Sequence, residues 1–359
     1  MQLMQASRQW ATRPDDQRFL SLTSMLSFAK ATRQLATESV VTSREIRAVP
    51  VDDNKGLGFE VRGELRTPTN WSFGQIASRV SAPASYLRKI PSPLAADCLN
   101  YGLQLGEISD TGVLADVRDV RAFTGPNYGR IWNADVLDQL VNRFGDGVTG
   151  DFRVPGEFGK AVEVTKSNTT LYASDRDMFV FLADEVNRVE IPNRRNGEPG
   201  SLARGFFMWN SEVGSSTFGL GTFLFDYACM NRIVWGARDY KEIRIRHTAS
   251  APWKMLEEVQ PVIEAYARSS TGSLTQAIED ARKAKFDDQD AVNDFLANRF
   301  SAGQAKAIRL VHLAEEDRPI ENYWDAVTGI TAYAKSIPHQ DARVAIEREA
   351  GKILDLVAS

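Results

Sequence analysis

A short polar segment, residues 210–214, interrupts the most apolar part of the sequence. The carboxylate of Glu212 follows closely on a run of four apolar residues, and the imidazole of His247 comes further along the chain. Either group is a candidate general base, provided that it lies within hydrogen-bond distance of the atom that it deprotonates. The other polar side chains expected in such a pocket belong to Asn210, Ser211 and Asn231. No reaction type follows, since Ser211 lacks the glycine pattern of a nucleophile elbow.

The same segment also fits a purely structural hypothesis. A buried carboxylate without a partner costs several kcal/mol, so Glu212 is expected to pair with an arginine and fix a tight turn. Asn210 and Ser211 would then bond to backbone groups. The cations expected to pair with Glu212 are Arg232, Arg244, Arg246 and His247. Because perturbed charges mark structural networks as well as active sites, the residues alone leave both hypotheses open.

The charge is unevenly distributed along the chain. The formal net charge is −4, and residues 250–359 hold 18 acidic against 13 basic side chains. Residues 188–247 hold nine basic against six acidic side chains, which indicates a local basic region. The candidate phosphate contacts are Arg194, Arg195, Arg232, Arg244 and Arg246, with Trp235 or Tyr128 as a stacking aromatic. Ordinary solvated arginines at strand edges, and in an exposed loop at residues 192–200, are the alternative interpretation.

Neither a metal ion nor a cofactor is predicted. The two cysteines, Cys98 and Cys229, are far apart, and the three histidines are scattered. Asp175 and Asp177 could hold a divalent cation, but this spacing favours a turn in which Asp bonds to its own backbone. Residues 145–150 match the letters of a dinucleotide fingerprint, yet they follow a predicted helix instead of a strand and do not open a helix.

The elements that must position the polar segment are predicted strands. Residues 206–209 place apolar side chains on both faces of a strand, which indicates a central strand covered on both sides. Residues 217–227 are rich in aromatics and Thr and also favour a strand. Gly219 and Gly221 inside it suggest a bulge or a close backbone approach. A helix over residues 222–230 is the competing prediction.

The first half of the chain alternates between helical and extended patterns. Helical spacing predicts a helix near residues 21–36, and Asn133 is expected to cap a helix over residues 134–144. Residues 46–49 and 58–65 predict a hairpin. Further strands are predicted over residues 113–123, 161–165, 169–173 and 178–183.

Residues 73–90 carry a pattern that resembles a helix-turn-helix. Apolar positions fit a packed first helix, and Ser85, Arg88 and Lys89 would face DNA from the second. Pro83 in the turn region and Ser81 in place of the usual turn glycine argue against this motif. A break at Pro91 and a further helix over residues 94–103 follow.

From Pro252 onward the pattern becomes helical. The predicted helices cover residues 253–267, 274–285, 291–299, 302–314, 323–335 and 342–357, with Asp290 and Ser301 as caps. The fold class is therefore α+β: a mostly antiparallel or mixed sheet core decorated by short helices, with an all-helical C-terminal region. The predicted domains are a lead with an amphipathic helix (1–45), an α+β core (46–249) and a helical region (250–359).

Five motifs occur in a fixed order along the sequence. They are Arg121-Ala122-Phe123-Thr124 with Tyr128-Gly129-Arg130-Ile131, Ser174-Asp175-Arg176-Asp177-Met178, Trp209-Asn210-Ser211-Glu212-Val213-Gly214, Cys229-Met230-Asn231-Arg232-Ile233-Val234-Trp235-Gly236 and Arg246-His247-Thr248. Together they resemble the phage/plasmid-like family known as domain of unknown function 932, from about Val41 to the C-terminal helices. The resemblance implies a phage, plasmid or other mobile-element context. It supplies no activity and no catalytic residue.

Three hypotheses for the function follow, the first two of them the main ones. The first is a nucleic-acid-binding accessory protein of a mobile element in recombination, replication or maintenance, with single-stranded DNA as the favoured ligand. The second is an enzyme with a pocket around Glu212 and His247, and the third is a scaffold or host-factor-binding protein. A second copy of the chain is a further candidate partner. No signal peptide or membrane span is recognised, so the cytoplasm of a bacterial host cell is expected.

Overall fold

A computed structural model describes residues 13–105, 109–155, 163–191, 200–226, 231–233, 243–269, 272–337 and 340–357. At residues 223–226, 231–233, 273–274 and 340–344 the description covers the backbone alone. The structure is 46% helix and 24% strand, with two sheets among the described residues, so the predicted α+β class is confirmed. None of the described helices is long and apolar enough to cross a membrane.

The first sheet has six strands. They are β1 (Thr37–Thr42), β2 (Ile46–Val51), β3 (Gly56–Val61), β4 (Glu64–Pro68), β5 (Asp110–Ala115) and β6 (Asp119–Thr124). Their order is β1-β5-β6-β4-β3-β2, in which only the β4–β6 pair is parallel. The edge strands β1 and β2 are separated by three residues only, so the sheet must curl until its edges approach each other. A hydrogen bond of 2.8 Å from Arg62 at the β3–β4 turn to the carbonyl of Val40 on β1 closes this corner.

Two predicted strands of this sheet are each broken into two. The strand predicted over residues 58–65 turns at Arg62 and Gly63, whose φ angles are 51° and 82°. A glycine at the second position makes this reversal inexpensive. The strand predicted over residues 113–123 turns at Asp116, whose carboxylate accepts the backbone N–H groups of Arg118 and Asp119 at 2.9 and 2.8 Å. Side-chain bonding to a nearby backbone therefore overrode the alternating pattern.

Helices α2 (Asn70–Arg79), α3 (Ala84–Leu87) and α4 (Ser92–Leu105) pack on the first sheet and share its hydrophobic core. The helix-turn-helix interpretation is wrong, because α3 is a single turn of four residues and is too short to read a major groove. Pro83 precedes α3, and Ser81 lies in the left-handed region with a φ of 55°. The helix predicted over residues 94–103 is confirmed as α4.

The second sheet has eight strands. They are β7 (Phe152–Arg153), β8 (Leu171–Ala173), β9 (Met178–Asp184), β10 (Val189–Ile191), β11 (Gly200–Asn210), β12 (Phe218–Asp226), β13 (Asn231–Ile233) and β14 (Ile243–Ile245). β11 pairs with β9 on one side and with β12 on the other, so the central strand is confirmed. The competing helix over residues 222–230 is wrong for residues 222–226, which belong to β12. Residues 227–230 lie outside the described residues. A strand is predicted over residues 161–165, but residues 163–165, which the structure describes, do not form one.

Aromatic rings cover the two glycines of β12. Trp209 faces Gly219 and Phe207 faces Gly221 across the ladder. A Cβ on Gly219 would lie 1.9 Å from the ring of Trp209, and one on Gly221 would lie 2.7 Å from the ring of Phe207. The predicted close approach is therefore made by side-chain rings of the neighbouring strand and not by backbone.

The opposite face of this sheet packs against helices α1 (Leu22–Leu35) and α5 (Asn133–Phe144). Ser21 caps α1 through the N–H of Ser24 at 3.1 Å, which confirms the predicted first helix. The predicted cap by Asn133 is wrong, because this residue is already in α5 and follows an N-cap at Trp132 that makes no side-chain bond.

The C-terminal region is helical, as predicted. It contains α6 (Ala251–Lys254), a π-helical turn (Met255–Val259), α7 (Gln260–Arg268), α8 (Gly272–Lys283), α9 (Gln289–Ala297), α10 (Ala302–Glu316), α11 (Tyr323–Ala334) and α12 (Gln340–Val357). The Ser301 cap is confirmed, whereas the cap of α9 is Asp288 and not Asp290. Trp324 and its helical neighbours share one hydrophobic cluster with Ile191 and Leu202, so this region packs onto β10 and β11 of the second sheet.

Candidate functional site: a buried junction loop beside an arginine groove

The polar segment of the sequence forms the loop that joins β11 to β12, and we call residues 211–217 the junction loop. Glu212 in this loop is 3% exposed. One carboxylate oxygen accepts a hydrogen bond of 2.8 Å from Arg121 on β6, and the other accepts the backbone N–H of Asn133 at 2.9 Å. Asn133 opens α5, so the carboxylate also lies where a helix N-terminus attracts negative charge. Glu212 thus connects the first sheet, the second sheet and α5.

Arg130 holds the backbone of the same loop. Its guanidinium donates to the carbonyl oxygen of Glu212 and, at 2.6 Å, to the carboxylate of Glu38. The side chain is buried between the rings of Tyr128 and Trp132, with its central carbon 5.2 and 5.7 Å from their centroids. A cation held against aromatic faces and bonded to a carboxylate has little freedom to move. The partners of Glu212 are therefore Arg121 and Arg130, and the predicted pairing with Arg232, Arg244 or Arg246 is wrong for the two described side chains, Arg244 and Arg246.

Asn210 and Ser211 bond mainly to backbone groups. The amide of Asn210 donates to the carbonyl of Ile131 at 2.8 Å and to the side-chain oxygen of Asn133 at 2.7 Å. The hydroxyl of Ser211 donates to the backbone carbonyl of Arg176 at 2.8 Å and accepts the N–H of Ser215 at 2.9 Å. Both residues are fully buried. These contacts correspond to the structural hypothesis for the polar segment.

His247 lies on the other side of Tyr128. The two rings stack with centroids 4.8 Å apart, and the phenol of Tyr128 donates to the backbone carbonyl of Ser211 at 2.8 Å. Nδ1 of His247 lies 3.1 Å from the carbonyl oxygen of Gly129, to which it donates when it carries the proton. Burial lowers the pKa of His247, outweighing the backbone contacts at Gly129 and Ser216, which raise it. Burial likewise raises the pKa of the Tyr128 phenol.

This geometry gives no support to Glu212 as a general base, and the role of His247 as a base stays a prediction. Both carboxylate oxygens of Glu212 already accept hydrogen bonds in a buried position, so no substrate proton can reach them without opening the junction. The side chain of Asn231 lies outside the described residues. The structure brings Asn210, Ser211 and Glu212 together as a scaffold, and their catalytic role stays a prediction.

An open groove of about 950 Å³ lies beside the junction loop. Its long wall is one face of α2, and the facing wall comes from the end of β6, from Arg176 in the turn between β8 and β9, and from Gly214. Gly214 has a φ of 82°, a conformation that favours glycine. The full lining is Asn70, Trp71, Gly74, Gln75, Ser78, Arg79, Ala84, Arg88, Phe123, Thr124, Gly125, Arg176 and Gly214. We call this surface the arginine groove.

The three arginines of the groove occupy its two ends. Arg88 donates to the carbonyl of Asn70 at 2.9 Å, at the start of α2, and Arg176 lies with its guanidinium carbon 4.3 Å from the centroid of Trp71. Arg79 lies at the other end of α2 and donates to the carbonyls of residues 110 and 124. Burial lowers the pKa of Arg79, but the guanidinium stays cationic at neutral pH. None of the groove residues in the described chain is acidic, so the lining carries three positive charges and no negative one.

The junction loop positions the groove. The carbonyl oxygen of Val213 accepts hydrogen bonds from the indole of Trp71 at 2.9 Å and from the amide of Gln75 at 2.8 Å. Gln75 also accepts the N–H of Phe123 at 3.0 Å, and Ser211 holds the backbone of Arg176. The walls of the groove are therefore fixed to one another through the buried loop.

Of the five arginines predicted to bind nucleic acid, the structure describes the side chains of Arg244 and Arg246. Arg194 and Arg195 lie outside the described residues, and only the backbone of Arg232 is described, in β13. Arg244 on β14 and Arg246 beyond it are exposed, and the guanidinium carbon of Arg244 lies 5.7 Å from the ring centroid of Trp209. Neither Arg244 nor Arg246 is among the groove residues.

Sequence reasoning missed most of the groove. Arg88 was expected to face DNA, although from a second helix that is only a single turn, and Arg176 was not among the predicted nucleic-acid contacts. The turn predicted at Asp175 and Asp177 is confirmed, but it is closed by Ser174 and not by an Asp side chain: the hydroxyl of Ser174 accepts the N–H groups of Arg176 and Asp177, both at 3.1 Å. No signal of regular spacing links Arg79, Arg88 and Arg176, because they come from three separate elements.

The fold and the site define an α+β protein whose two sheets are joined by a buried polar loop next to an open cationic groove. No family model matches the chain, and no curated protein or solved structure shows significant similarity to it. The resemblance to the phage/plasmid-like family therefore stays a prediction that rests on its five motifs.

Proposed function

We propose that the protein is a nucleic-acid-binding accessory protein of a phage, plasmid or other mobile element, and that it binds single-stranded DNA in the arginine groove. The observation that carries the proposal is the composition of the groove: three guanidinium groups, an indole, and no carboxylate among the lining residues in the described chain. The five sequence motifs support the mobile-element context.

Guanidinium groups suit phosphate because their planar donors match its oxygens. Arg88 and Arg176 are exposed, so their charges are available to a ligand that enters the groove. Trp71 is partly buried and stacked against Arg176, which supplies an aromatic and a planar cation at one place. This combination of cations and π surfaces is the one that single-strand-binding grooves use.

The length of the groove fits a strand of a few nucleotides. Arg88 is bonded to Asn70 at the start of α2, and Arg79 lies at the end of the helix. The helix rises by about 13 Å from Asn70 to Arg79. At the duplex spacing of about 3.4 Å per nucleotide that length corresponds to about four nucleotides, and to fewer in a strand whose bases are unstacked.

The test is fluorescence anisotropy with a labelled oligo-dT and with a duplex of equal length, across a salt series. The wild-type protein is expected to bind the single strand, with an affinity that falls steeply with salt because phosphate contacts release counterions. The variant Arg79→Gln/Arg88→Gln/Arg176→Gln is expected to lose this binding.

The matched control is Arg47→Gln on β2, whose side chain is 71% exposed and lies 3.8 Å from Glu60. It removes a surface arginine outside the groove and should leave binding unchanged. Circular dichroism and thermal melting confirm that each variant is folded. Wild-type protein that binds neither DNA at low salt, or a folded triple variant that binds like wild type, would overturn the proposal.

A further inference from the structure

Helix α2 carries a glycine in its interior, on the face that lines the groove. Gly74 is three residues after Trp71 and four before Ser78, so the three share one side of the helix. Glycine is the poorest helix former after proline. The φ of Gly74 is not positive, and a Cβ placed on it would meet no atom within 4 Å in the described chain.

Two other interior helix glycines, Gly102 and Gly329, have a packing reason. A Cβ on Gly102 in α4 would lie 2.6 Å from the Cβ of Val80, and one on Gly329 in α11 would lie 3.0 Å from the Cβ of His312. Neither backbone conformation nor a neighbouring side chain accounts for Gly74 in this way. The space that its missing side chain leaves open is part of the arginine groove.

We infer that Gly74 keeps room in the groove for the flat ring of an unpaired nucleobase, so that the groove accepts a single strand and excludes a duplex. This inference rests on the proposed function and names the ligand part that enters the site. An unpaired base offers a π face to its neighbours, whereas a paired base keeps its faces inside the stack. A base lying on the backbone at Gly74 has the stacked pair of Trp71 and Arg176 one helical turn away.

The cations fit the same pose. Arg88 is bonded to the first residue of α2, and Arg79 lies in the last turn of that helix. A guanidinium therefore lies on each side of Gly74, where it can contact the phosphates on either side of the inserted base. The base lies at Gly74, where α2 carries no side chain, because a Cβ substituent at this residue projects into the groove. Phosphate binding and base insertion therefore depend on different residues, and they can be separated by mutation.

The deciding variants are Gly74→Ala and Gly74→Leu, assayed on oligo-dT and on an abasic strand of the same length, which keeps the phosphates and lacks the bases. Both variants are expected to melt at or above the wild-type temperature, because both residues are better helix formers than glycine. Gly74→Leu is expected to bind oligo-dT at least about tenfold more weakly with an unchanged salt slope, since the phosphate contacts are kept. The wild-type protein is expected to bind the abasic strand more weakly than oligo-dT, and Gly74→Leu should leave that residual binding unaltered.

The matched control is Gly303→Leu in the first turn of α10, another helical glycine at which a Cβ would meet nothing within 4 Å. It lies outside the groove and should not alter binding. Equal affinity of the wild type for oligo-dT and the abasic strand, or full oligo-dT binding by Gly74→Leu, would overturn base insertion while leaving phosphate binding in place. Absence of wild-type binding to every strand would overturn the proposed function, and this inference with it.

Discussion

The guanidinium of Arg121 lies 2.8 Å from the carboxylate of Glu212, with the two side chains only 5% and 4% exposed. Arg121 belongs to β6 of the first sheet and Glu212 to the loop after β11 of the second. The ion pair therefore fastens two sheets whose strands do not pair with each other. Because the same loop positions Trp71 and Gln75, the integrity of the groove depends on this buried contact.

Removal of either partner should destabilise the fold strongly. Arg121→Ala or Glu212→Ala leaves one buried charge without its partner, for which the cost is about 3–5 kcal/mol. The free energy of unfolding, measured by urea denaturation, is expected to fall by this amount in each single variant.

The double variant Arg121→Met/Glu212→Leu serves as the control. It removes both charges and fills their volume with apolar groups, so it should cost much less than the sum of the single variants. Strict additivity of Arg121→Ala and Glu212→Ala in a cycle closed by the double alanine variant would contradict a direct pairing.

Gly129 should tolerate no side chain. A Cβ on this residue would lie 1.8 Å from the backbone carbonyl oxygen of Thr248, and its N–H donates to the carbonyl of His247 at 3.1 Å. Gly129→Ala must push these two segments apart, at a cost of about 1–3 kcal/mol or more. Thermal melting checks the prediction. Gly303→Ala, where a Cβ meets nothing, should be neutral or stabilising by up to about 1 kcal/mol.

Stability should decline between neutral and mildly acidic pH through His247. Burial lowers its pKa in the folded protein, while the unfolded chain keeps a value of about 6.5. The folded state therefore favours the neutral ring, and this contribution is fully present above about pH 6.5. As the pH falls below 6.5 the unfolded chain takes up the proton first, and the contribution shrinks until the folded pKa is reached.

The variant His247→Phe isolates this effect, because it keeps a ring against Tyr128 and removes the titrating group. Melting temperatures between pH 5 and 8 are expected to fall less steeply for the variant than for the wild type. Identical slopes would show that His247 does not titrate differently in the two states.

Single arginines of the groove should each change the salt dependence of DNA binding. For single strands the slope of log affinity against log salt is about −0.7 per neutralised phosphate. Arg88→Gln and Arg176→Gln are each expected to reduce the magnitude of the slope by about 0.7, whereas Arg47→Gln leaves it unchanged. A loss of affinity without a change of slope would mean that the residue contacts no phosphate.

The sequence by itself determined the local elements. Helical spacing predicted α1, and the apolar faces of residues 206–209 identified a central strand. The six predicted C-terminal helices occur in order, the first of them divided by a π-helical turn. These features depend on periods of two and 3.6 residues and on bonds within one turn, which a short stretch of chain defines on its own. The same reasoning failed where short-range polar bonding broke a regular pattern, as at Asp116.

Only the tertiary structure decided which polar groups meet. Glu212 was expected to pair with an arginine, but its partner Arg121 is 91 residues away in sequence and not among the arginines that follow the loop. The groove likewise collects Arg79, Arg88 and Arg176 from two helices and a turn. The chain has 43 basic side chains, and charge alone does not distinguish among them. The choice is made by the curling of the first sheet and its packing against the second, which no local period encodes.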